Sequence, residues 1–379
     1  MGRETLRVAV LQDTAHPGLG GHGTHLAFRG LPGIEMVALA DSGADGTDAD
    51  RLAETGAARL YRDWREMLER ERPDIAVLCS RLPGDHLEPI RMAARLGIHI
   101  FCEKPLASDL RTADEIVALS ERHRIRIAVA HLARYSLAFR TMKRMIERGE
   151  IGRVLTFYGR GKEDQRGGGE DLLVLGTHIL DLGNFLFGEP ESVFAEIRQE
   201  GRPLRRGDRL PTAEPVGAVA GDDVWMLFRY PGEVRGVFES RRGLAAGRVR
   251  MGVTVAGSCG ALAVRYDDER ALRIRRGAVP PEDGGEEGFE TVPLTEERTI
   301  PGAAPLPADD SGMWRYFHEN NRFAAWDLAE AVRNGREPVA SARDARRVLE
   351  LIQGAYLSQL TGRTVPLPLE KRVHPLEEI

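Results

Sequence analysis

The chain is poor in cysteine and has no long apolar run. Cys79, Cys102 and Cys259 are the three cysteines among its 379 residues, and none belongs to a C-x-x-C pair. This spacing argues against a disulfide framework and a zinc knuckle, and reduced cysteines are typical of the cytosol. No apolar run approaches the ~20 residues of a membrane span, and the N-terminus does not look like a signal peptide. We therefore expect a cytoplasmic protein that does not cross a membrane.

Basic residues are not in excess either. Lys and Arg number 53 against 58 Asp and Glu, which gives a formal net charge of −5. Nucleic-acid-binding proteins usually present a basic face, whereas the densest basic stretch here, 202–209, lies in a Pro- and Gly-rich segment typical of a solvated loop. His22 and His25 are close in sequence but lack a third ligand. We predict no nucleic-acid partner and no metal.

Alternating strand and helix signals occupy the N-terminal part of the chain. Apolar runs of strand length occur at 6–11, 35–40, 75–79, 98–102 and 125–130. Amphipathic patterns between them predict helices at 24–29, 62–70, 86–96 and 109–123. Short apolar strands separated by such helices are typical of a parallel sheet covered on both faces. The pattern predicts an α/β fold, with a doubly wound Rossmann sheet over residues 1–132.

Beyond that point strands follow one another with few helices between them. The candidate strands are 154–158, 193–198, 224–230, 234–240, 253–256 and 261–266. Pro231-Gly232 predicts a hairpin turn, and sequential strands joined by turns favour an antiparallel sheet. A Gly-, Pro- and acid-rich surface loop follows at 277–312, and two helices close the chain. We predict a second, α+β domain over 133–379, with a large, mainly antiparallel open sheet for substrate binding and oligomerisation.

A glycine-rich loop follows the first predicted strand. Gly18, Gly20 and Gly23 match G-x-G-x-x-G between a strand and a predicted helix, as the motif requires. Such glycines let the backbone approach a pyrophosphate, and the helix N-terminus adds free N–H groups. Asp41 ends the next strand, where a carboxylate hydrogen-bonds the adenosine ribose and disfavours a 2′-phosphate. We predict NAD rather than NADP; a surface loop that has lost its cofactor is the alternative.

A lysine comes directly after another strand of the same domain. Glu103 and Lys104 follow the strand predicted at 98–102, and ligands of α/β sheets bind outside the carboxyl ends of the strands. Lys104 would then lie near the nicotinamide end of a dinucleotide. A surface ion pair between Glu103 and Lys104 is the alternative, and position by itself does not decide between the two.

Four segments in the same order resemble one known family. They are Glu103-Lys-Pro-Leu-Ala107, Glu150-Ile-Gly-Arg-Val154, Gly176-Thr-His-Ile-Leu-Asp181 and Gly362-Arg-Thr-Val-Pro366. Together with the glycine motif they resemble the glucose–fructose oxidoreductase, inositol dehydrogenase and rhizopine catabolism (Gfo/Idh/MocA) family. The resemblance runs along nearly the whole chain, and it implies a Rossmann domain followed by a mainly antiparallel domain.

Membership of that family implies roles for the matching positions. Lys104 would hydrogen-bond the reacting hydroxyl, and His178 would be the general base, because an imidazole titrates near neutrality. A buried histidine with only structural contacts is the alternative for His178. The implied cofactor contacts also include Ser80, His86 and Glu103. The candidate substrate contacts are Asp181, Asp171, Arg134 and Tyr158.

One position departs from the family pattern. The family often has Asp four residues before the histidine, and that residue is Val174 here. On one continuous helix Asp171, Val174, His178 and Asp181 would share a face. Seven helical residues rise about 10.5 Å, which is too far for a direct Asp171–His178 hydrogen bond. Either Asp171 contacts the substrate, or His178 lacks an acidic partner.

Three functions are compatible with these residues. The first is an NAD(P)-dependent dehydrogenase or reductase that acts on a sugar, sugar derivative or polyol. The second is an NAD-dependent glycoside hydrolase with a transient redox step, and the third is a non-catalytic NAD-binding sensor. Because a large open sheet needs its outer face covered, a homodimer or homotetramer is expected.

Overall fold

The structure is a computed structural model. It describes residues 5–15, 22–43, 47–245, 251–266, 270–277, 288–296, 298–306 and 311–377. The chain divides into two compact units: unit 1 consists of Met1–Tyr135 and Arg298–Arg346, and unit 2 of Ser136–Glu297 and Arg347–Ile379. The first division therefore lies close to the predicted boundary after residue 132. The segment 298–346, expected in the second domain, instead belongs to unit 1.

Strands and helices are numbered in chain order. Strands β1 to β6 are Leu6–Gln12, Ile34–Asp41, Arg59–Tyr61, Ile75–Leu78, His99–Cys102 and Ile127–Val129. Strands β7 to β16 are Val154–Arg160, Ser192–Gln199, Arg202–Pro203, Asp223–Arg229, Arg235–Arg241, Gly252–Gly257, Gly260–Arg265, Leu272–Arg276, Glu290–Thr291 and Val365–Pro366. Helices α1 to α9 are Asp48–Thr55, Trp64–Glu71, Leu87–Leu96, Leu110–His123, Leu137–Glu147, Gly169–Val174, Gly176–Phe187, Gly312–Asn334 and Ala342–Thr361.

Unit 1 contains the predicted parallel sheet. Its strand order is β3-β2-β1-β4-β5-β6, and the paired strands are all parallel. The order reverses between β1 and β4, as in a doubly wound dinucleotide-binding sheet. β3, with three residues, was too short to be predicted from periodicity. The predicted α/β Rossmann architecture is confirmed.

Side-chain caps define where the helices of unit 1 begin. Thr47 and Asp50 form a capping box at α1, and the carboxylates of Asp63 and Asp109 cap α2 and α4. The helix predicted at 24–29 is wrong: only a single 3₁₀ turn forms, at Thr24–Leu26. Gly30 has a φ of 69°, so the chain turns away before a second helical turn can form.

Helix α8 explains why 298–346 belongs to unit 1. Its buried residues Ala324, Ala325, Leu328 and Ala329 join the same hydrophobic core as the strands β1 and β4. Helical residues three and four apart lie on one face, so α8 presents a continuous apolar stripe to this core. Truncating Leu328 to Ala would remove about 2–5 kcal/mol of stability, the usual loss for a buried leucine.

Unit 2 contains a mixed sheet that is mainly antiparallel. Its order is β15-β14-β13-β12-β7-β11-β10-β8-β16, and β9 pairs with β8. β7 lies between β12 and β11, and it pairs antiparallel with β12 and parallel with β11. The predicted Pro231-Gly232 turn connects β10 to β11, and Gly232 has a φ of 72°. The second half of the predicted fold is therefore confirmed as well.

One face of this sheet packs on helix α7. A Cβ on Gly159 of β7 would lie 2.4 Å from Ile179, and one on Gly183 of α7 would lie 2.2 Å from the Tyr230 hydroxyl. These two glycines allow the helix to approach the strands closely. Alternate residues point to the opposite face, where Tyr158 and Leu227 remain 36% and 37% exposed.

Neither a membrane helix nor a metal cluster occurs among the described residues. None of the described helices combines the length and apolarity that crossing a bilayer requires. Nor does the described part of the chain bring together three or more His, Cys, Asp or Glu side chains in a metal-binding group.

Candidate active site and dinucleotide pocket

A cavity of about 600 Å³ lies at the carboxyl edge of the parallel sheet in unit 1. Its lining includes Gln12, Asp41 and Ser80, which lie at or just after the ends of β1, β2 and β4. Ligands of doubly wound sheets bind where the strand order reverses, and β1 and β4 flank that point. The cavity therefore has the position that a dinucleotide takes in this fold.

The glycine loop borders the same strands. Gly18 and Gly20 lie outside the described residues, whereas Gly23 has a φ of 82° and precedes the 3₁₀ turn. A Cβ at this position would lie 2.6 Å from Cδ2 of His318, so both the backbone and the packing favour glycine. The expected helix dipole is not formed, because a single 3₁₀ turn aligns few peptide units.

Asp41 ends β2 as expected, but its carboxylate binds the protein. Oδ1 accepts hydrogen bonds from the N–H groups of Thr14 (2.9 Å) and Gly43 (3.0 Å), and Oδ2 accepts one from the Thr14 hydroxyl (2.8 Å). The buried Arg51 guanidinium lies 3.7 Å from Oδ2. The carboxylate thus holds the turns after β1 and β2 together while Asp41 lines the cavity, and its contact with the ribose stays a prediction.

Ser80 and His86 line the cavity and stabilise its wall. The Ser80 hydroxyl donates to Asp85 (2.7 Å) and accepts from the Leu82 N–H (3.1 Å). His86 is fully buried, with Nε2 2.8 Å from the Ser80 carbonyl oxygen and Nδ1 3.1 Å from that of Leu106. Both ring nitrogens face main-chain oxygens. His86 thus connects the segment after β4 to the segment after β5, and its contact with the cofactor stays a prediction.

Glu103 and Lys104 are both buried, with exposures of 1% and 2%. The alternative of a surface ion pair is therefore wrong. Glu103 accepts hydrogen bonds from the Lys104 N–H (2.9 Å) and from the N–H of His22 (3.2 Å). Burial raises the pKa of Glu103, but the His22 ring and Lys104 outweigh it and bring that pKa to about 2. A permanent anion thus lies beside the candidate catalytic lysine.

The second candidate catalytic residue, His178, lies in the first turns of α7 in unit 2. Its side chain is partly exposed, whereas Asp181, three residues later, is fully buried. Burial raises the pKa of the Tyr230 hydroxyl, and the charge of Asp181 raises it further. The charge of Asp181 therefore reaches the interior of unit 2, and its contact with substrate stays a prediction.

Asp171 and Val174 belong to a helix separate from that of His178. Helix α6 ends at Val174, and Leu175, with φ −114°, interrupts the helix before α7 begins. The expected continuous helical face is therefore wrong. Oδ2 of Asp171 accepts hydrogen bonds from the Ser240 hydroxyl (2.5 Å) and the Glu163 N–H (3.3 Å). Burial raises the pKa of Asp171 despite these bonds, because it disfavours the charged form of the carboxyl.

Two other predicted substrate contacts have different surroundings. Arg134 is buried in unit 1, where its guanidinium donates to the Val339 carbonyl oxygen (2.7 Å) and lies 3.3 Å from Asp344. Tyr158 lies on the sheet face opposite α7, because its neighbours Phe157 and Gly159 are the residues that pack towards that helix. Within unit 2, Tyr158 and His178 therefore lie on different sides of the sheet, whereas contact of Arg134 with substrate stays a prediction.

Several polar residues of these sites were not predicted from the sequence. Thr14 and Arg51 saturate Asp41, and Ser240 and Glu163 hold Asp171. The run Lys-Glu-Asp at 162–164 directly after β7 was the available signal for Glu163. No comparable local signal marked Ser240, which approaches Asp171 from a strand 69 residues away.

The fold and the cavity define a Rossmann-type dinucleotide-binding protein with a second domain. Comparison with protein families makes this specific. Residues 18–131 match the model described as "Oxidoreductase family, NAD-binding Rossmann fold", and residues 139–263 match that of the GFO/IDH/MocA C-terminal domain. The chain belongs to the Gfo/Idh/MocA oxidoreductase family, as its motifs had indicated, and its Rossmann unit is of the NAD-binding type.

Curated relatives span most of the chain. It is 28% identical to the D-apiose dehydrogenase of Paraburkholderia graminis over 361 residues, which cover 90% of this chain and 85% of that protein. It is 28% identical to the levoglucosan dehydrogenase of Pseudarthrobacter phenanthrenivorans over 347 residues, 84% and 85% of the two chains. The myo-inositol 2-dehydrogenase of Thermotoga maritima is 25% identical over 334 residues, 84% and 88% of the two chains.

Solved structures agree on the fold. The chain superposes on levoglucosan dehydrogenase in complex with NADH and levoglucosan with a TM-score of 0.72 and 21% identity, over 96% of this chain and 100% of the other. An Agrobacterium radiobacter oxidoreductase in complex with NAD⁺, L-tartaric acid and magnesium gives 0.70 and 19%, over 95% and 98%. At these identities the likeness establishes the architecture.

The residues present in unit 1 fit a bound dinucleotide. The cavity lies at the point where the strand order reverses, and Gly23 keeps the loop free of a side chain. Gln12 and Ser80 supply polar groups at the cavity wall. NAD is accordingly the cofactor that this unit would hold, and family membership supports that choice.

Proposed function

We propose that the protein is an NAD-dependent dehydrogenase or reductase that acts on a hydroxyl group, or the matching carbonyl, of a sugar, sugar derivative or polyol. The observation that carries this proposal is the buried Glu103–Lys104 pair directly after β5, in a unit of the NAD-binding type. Relatives named for apiose, levoglucosan and myo-inositol each align with more than four fifths of the chain, which supports a hydroxyl-rich substrate.

Each candidate residue has a defined task in this reaction. Bound NAD supplies the hydride acceptor for oxidation, or the donor in its reduced form. The Lys104 ammonium donates a hydrogen bond to the reacting oxygen and stabilises the negative charge that develops there. His178 accepts the hydroxyl proton during oxidation and returns it during reduction. Glu103 holds the main chain at Lys104, which limits the orientations open to its side chain.

The dehydrogenase is favoured over the two other functions considered. A glycoside hydrolase with transient oxidation would use the same residues and release a leaving group without net NADH. A non-catalytic sensor would have no use for a buried lysine beside a buried anion. The alignments with proteins named as dehydrogenases cover more than four fifths of the chain, and they support the redox reaction.

A cofactor-coupled screen tests the proposal. The purified protein is incubated with NAD⁺ and a panel of sugars, sugar acids, inositols and glycosides, and both NADH absorbance and product mass are read. We expect NADH with one or a few hydroxyl compounds, and its loss in Lys104→Ala and His178→Ala. Glycoside cleavage without NADH would replace the proposal by the hydrolase, and NAD binding without any turnover would favour the sensor.

We also propose a homodimer or homotetramer that buries the open face of the unit 2 sheet. Tyr158, Val237, Leu227 and Phe194 stand opposite one another on adjacent strands and form an apolar row across that face. Exposed apolar patches of this kind are typical of interfaces, and twofold assemblies are the commonest. Light scattering of Leu227→Glu should show a smaller mass than wild type. Leu244→Glu, at an exposed turn, is the matched control.

A cytoplasmic location is part of the same proposal. Cys79, Cys102 and Cys259 are free thiols, and reduced cysteines suit a reducing compartment. Cell fractionation with an antibody to the native protein would test it, and recovery outside the cytoplasmic fraction would contradict it.

A further inference from the structure

His22 connects three segments of unit 1. Its N–H and its Nδ1 lie 3.2 and 3.3 Å from the same oxygen of Glu103. Arg81, from the segment after β4, has Nη1 3.2 Å from Nε2 of His22. Asn321 of α8 donates from Nδ2 to the His22 carbonyl oxygen at 2.8 Å. The ring also packs on Phe317 of α8, with centroids 5.0 Å apart. Every polar group of this residue is therefore engaged.

The partners of the ring determine which nitrogen carries its proton. A guanidinium has only donors, so Nε2 of His22 must accept the hydrogen bond from Arg81. Nδ1 then carries the proton that is donated to the Glu103 carboxylate. The ring thus bridges a cation on one side and an anion on the other.

Glu103 extends this connection to Lys104. One of its oxygens faces His22, and the other accepts the Lys104 N–H at 2.9 Å. Since Glu103 is 1% exposed, water cannot readily replace the donor that His22 supplies. The orientation of the main chain at Lys104 therefore depends on His22, which belongs to the motif of the glycine loop.

His25 shows that this arrangement is specific to His22. It lies three residues further along and its Nε2 is 3.2 Å from Glu54, a half-exposed carboxylate on α1. Exposed pairs of this kind contribute little, because solvent screens them. The chain therefore offers a matched histidine at the other end of the same motif.

We propose that His22 is a positioning residue that holds the Glu103 carboxylate in place and, through it, the main chain that orients Lys104. The proposal rests on the proposed dehydrogenase function, in which Lys104 contacts the reacting oxygen. The proposal gives His22, which is 81 residues before Glu103 in the sequence, a part in positioning Lys104 for that reaction.

The test compares His22→Leu and His22→Asn with His25→Leu. Leucine keeps bulk but cannot donate, whereas the Asn amide nitrogen occupies nearly the place of Nδ1 and can donate to Glu103. We expect His22→Leu to lower kcat roughly tenfold, as for the loss of one hydrogen bond to a buried charge. The substrate KM should change little, and His22→Asn should recover most of kcat. His25→Leu should behave as wild type.

Hydrogen exchange at the Lys104 amide gives a readout that needs no substrate. In His22→Leu this amide should exchange faster than in wild type, and NAD should bind more weakly; in His22→Asn both should return towards wild type. If no hydroxyl compound is turned over by the wild type, the proposed function fails while these two measurements still test the connection. The proposal would be overturned if His22→Leu and His25→Leu had the same exchange rate at the Lys104 amide and the same affinity for NAD. It would also be overturned if His22→Asn recovered neither quantity relative to His22→Leu. Should His22→Leu not fold, Glu103→Gln takes its place with the same readouts.

Discussion

Two buried carboxyl groups, one in each unit, illustrate how environment determines chemistry. Glu103 and Asp171 are 1% and 0% exposed, and burial raises the pKa of both. At Glu103 His22 and Lys104 reverse that effect, and the pKa falls to about 2. At Asp171 a hydroxyl and one N–H are too weak to do so, and the pKa stays above its usual value. Burial by itself therefore does not set the direction in which the pKa of a carboxyl shifts. The hydrogen-bond donors and charges around the carboxyl decide it.

This difference assigns the two groups different tasks. A charged Glu103 can hold His22 and the Lys104 main chain through charge-assisted hydrogen bonds, which are about twice as strong as neutral ones. Asp171, whose pKa is raised by burial, joins Ser240 to the segment at Glu163 through the hydrogen bonds that its Oδ2 accepts. Unit 1 thus places a carboxylate of lowered pKa beside its candidate lysine, whereas the interior of unit 2 holds a carboxyl whose pKa is raised.

Removing the cation beside Glu103 should have the largest effect. Lys104→Ala deletes the donor to the developing alkoxide, and we expect kcat to fall by roughly 10²–10³, the usual loss for one such donor. Lys143→Ala removes an ammonium that pairs with Glu147 on α5, and it should leave kcat unchanged. Steady-state rates with the best substrate of the screen measure both. A Lys104→Ala enzyme with near wild-type kcat would contradict the role assigned to this lysine.

Neutralising Glu103 should have the second largest effect, and this effect should be on the free energy of unfolding. Glu103→Gln leaves its donors without an anion, and we expect the free energy of unfolding at pH 7 to fall by on the order of 3 kcal/mol. Because the folded-state pKa of Glu103 lies below the ordinary 4.5, its contribution is complete above about pH 4.5 and is lost as the pH falls towards 2. Denaturant unfolding between pH 3 and 7 should show this acid dependence in wild type and less of it in Glu103→Gln.

Glu115→Gln is the matched control for that experiment. Glu115 is also a charged acceptor, but it is exposed and pairs with Arg91 at the surface. Its loss should change stability by no more than ~1 kcal/mol. Equal losses in the two variants would mean that burial does not strengthen the Glu103 contacts.

Asp171→Asn should act in the opposite direction and less strongly. A folded-state pKa above the ordinary 3.8 means that the stabilising contribution is present at low pH and is lost as the pH rises through the folded-state value. Asn imitates the neutral acid and keeps an oxygen for Ser240. We expect its free energy of unfolding to equal wild type near pH 3 and to exceed it at pH 7 by ~0.5–1.5 kcal/mol, the range of one hydrogen bond. Destabilisation at pH 7 would show that Asp171 works as an anion.

Tyr158→Phe should have the smallest effect. The hydroxyl lies on the sheet face away from α7, so its loss should leave kcat/KM within about twofold of wild type, as for other surface changes. The same steady-state assay measures it. A loss of tenfold or more, with the oligomeric state unchanged, would restore Tyr158 as a substrate contact.

Local patterns were sufficient for much of this molecule. The strands β1, β2, β4, β5 and β6 followed from short apolar runs, and the helices predicted at 86–96 and 109–123 form as α3 and α4. The segments around Glu103 and His178 indicated the family from their residues alone. These features are encoded within a few neighbouring residues, because strand length, capping and a turn depend on local sequence.

Tertiary structure decided what the polar groups do. Asp41 fits the spacing of a ribose ligand, yet Thr14 and Arg51 occupy its carboxylate. Its role therefore depends on residues that no local pattern connects to it. Likewise α8 belongs to unit 1 because its apolar stripe completes the hydrophobic core of that unit. The loop predicted before α8 gave no indication of the unit in which this helix would pack.

By itself, the sequence determined the fold class, the family and the presence of Lys104 and His178 at its motifs. Only the tertiary structure decided that His22 binds Glu103 across 81 residues and that Ser240 binds Asp171 across 69. The physical reason is the same in both cases. The charge and orientation of a buried group depend on the donors that packing brings to it, and those donors come from distant parts of the chain.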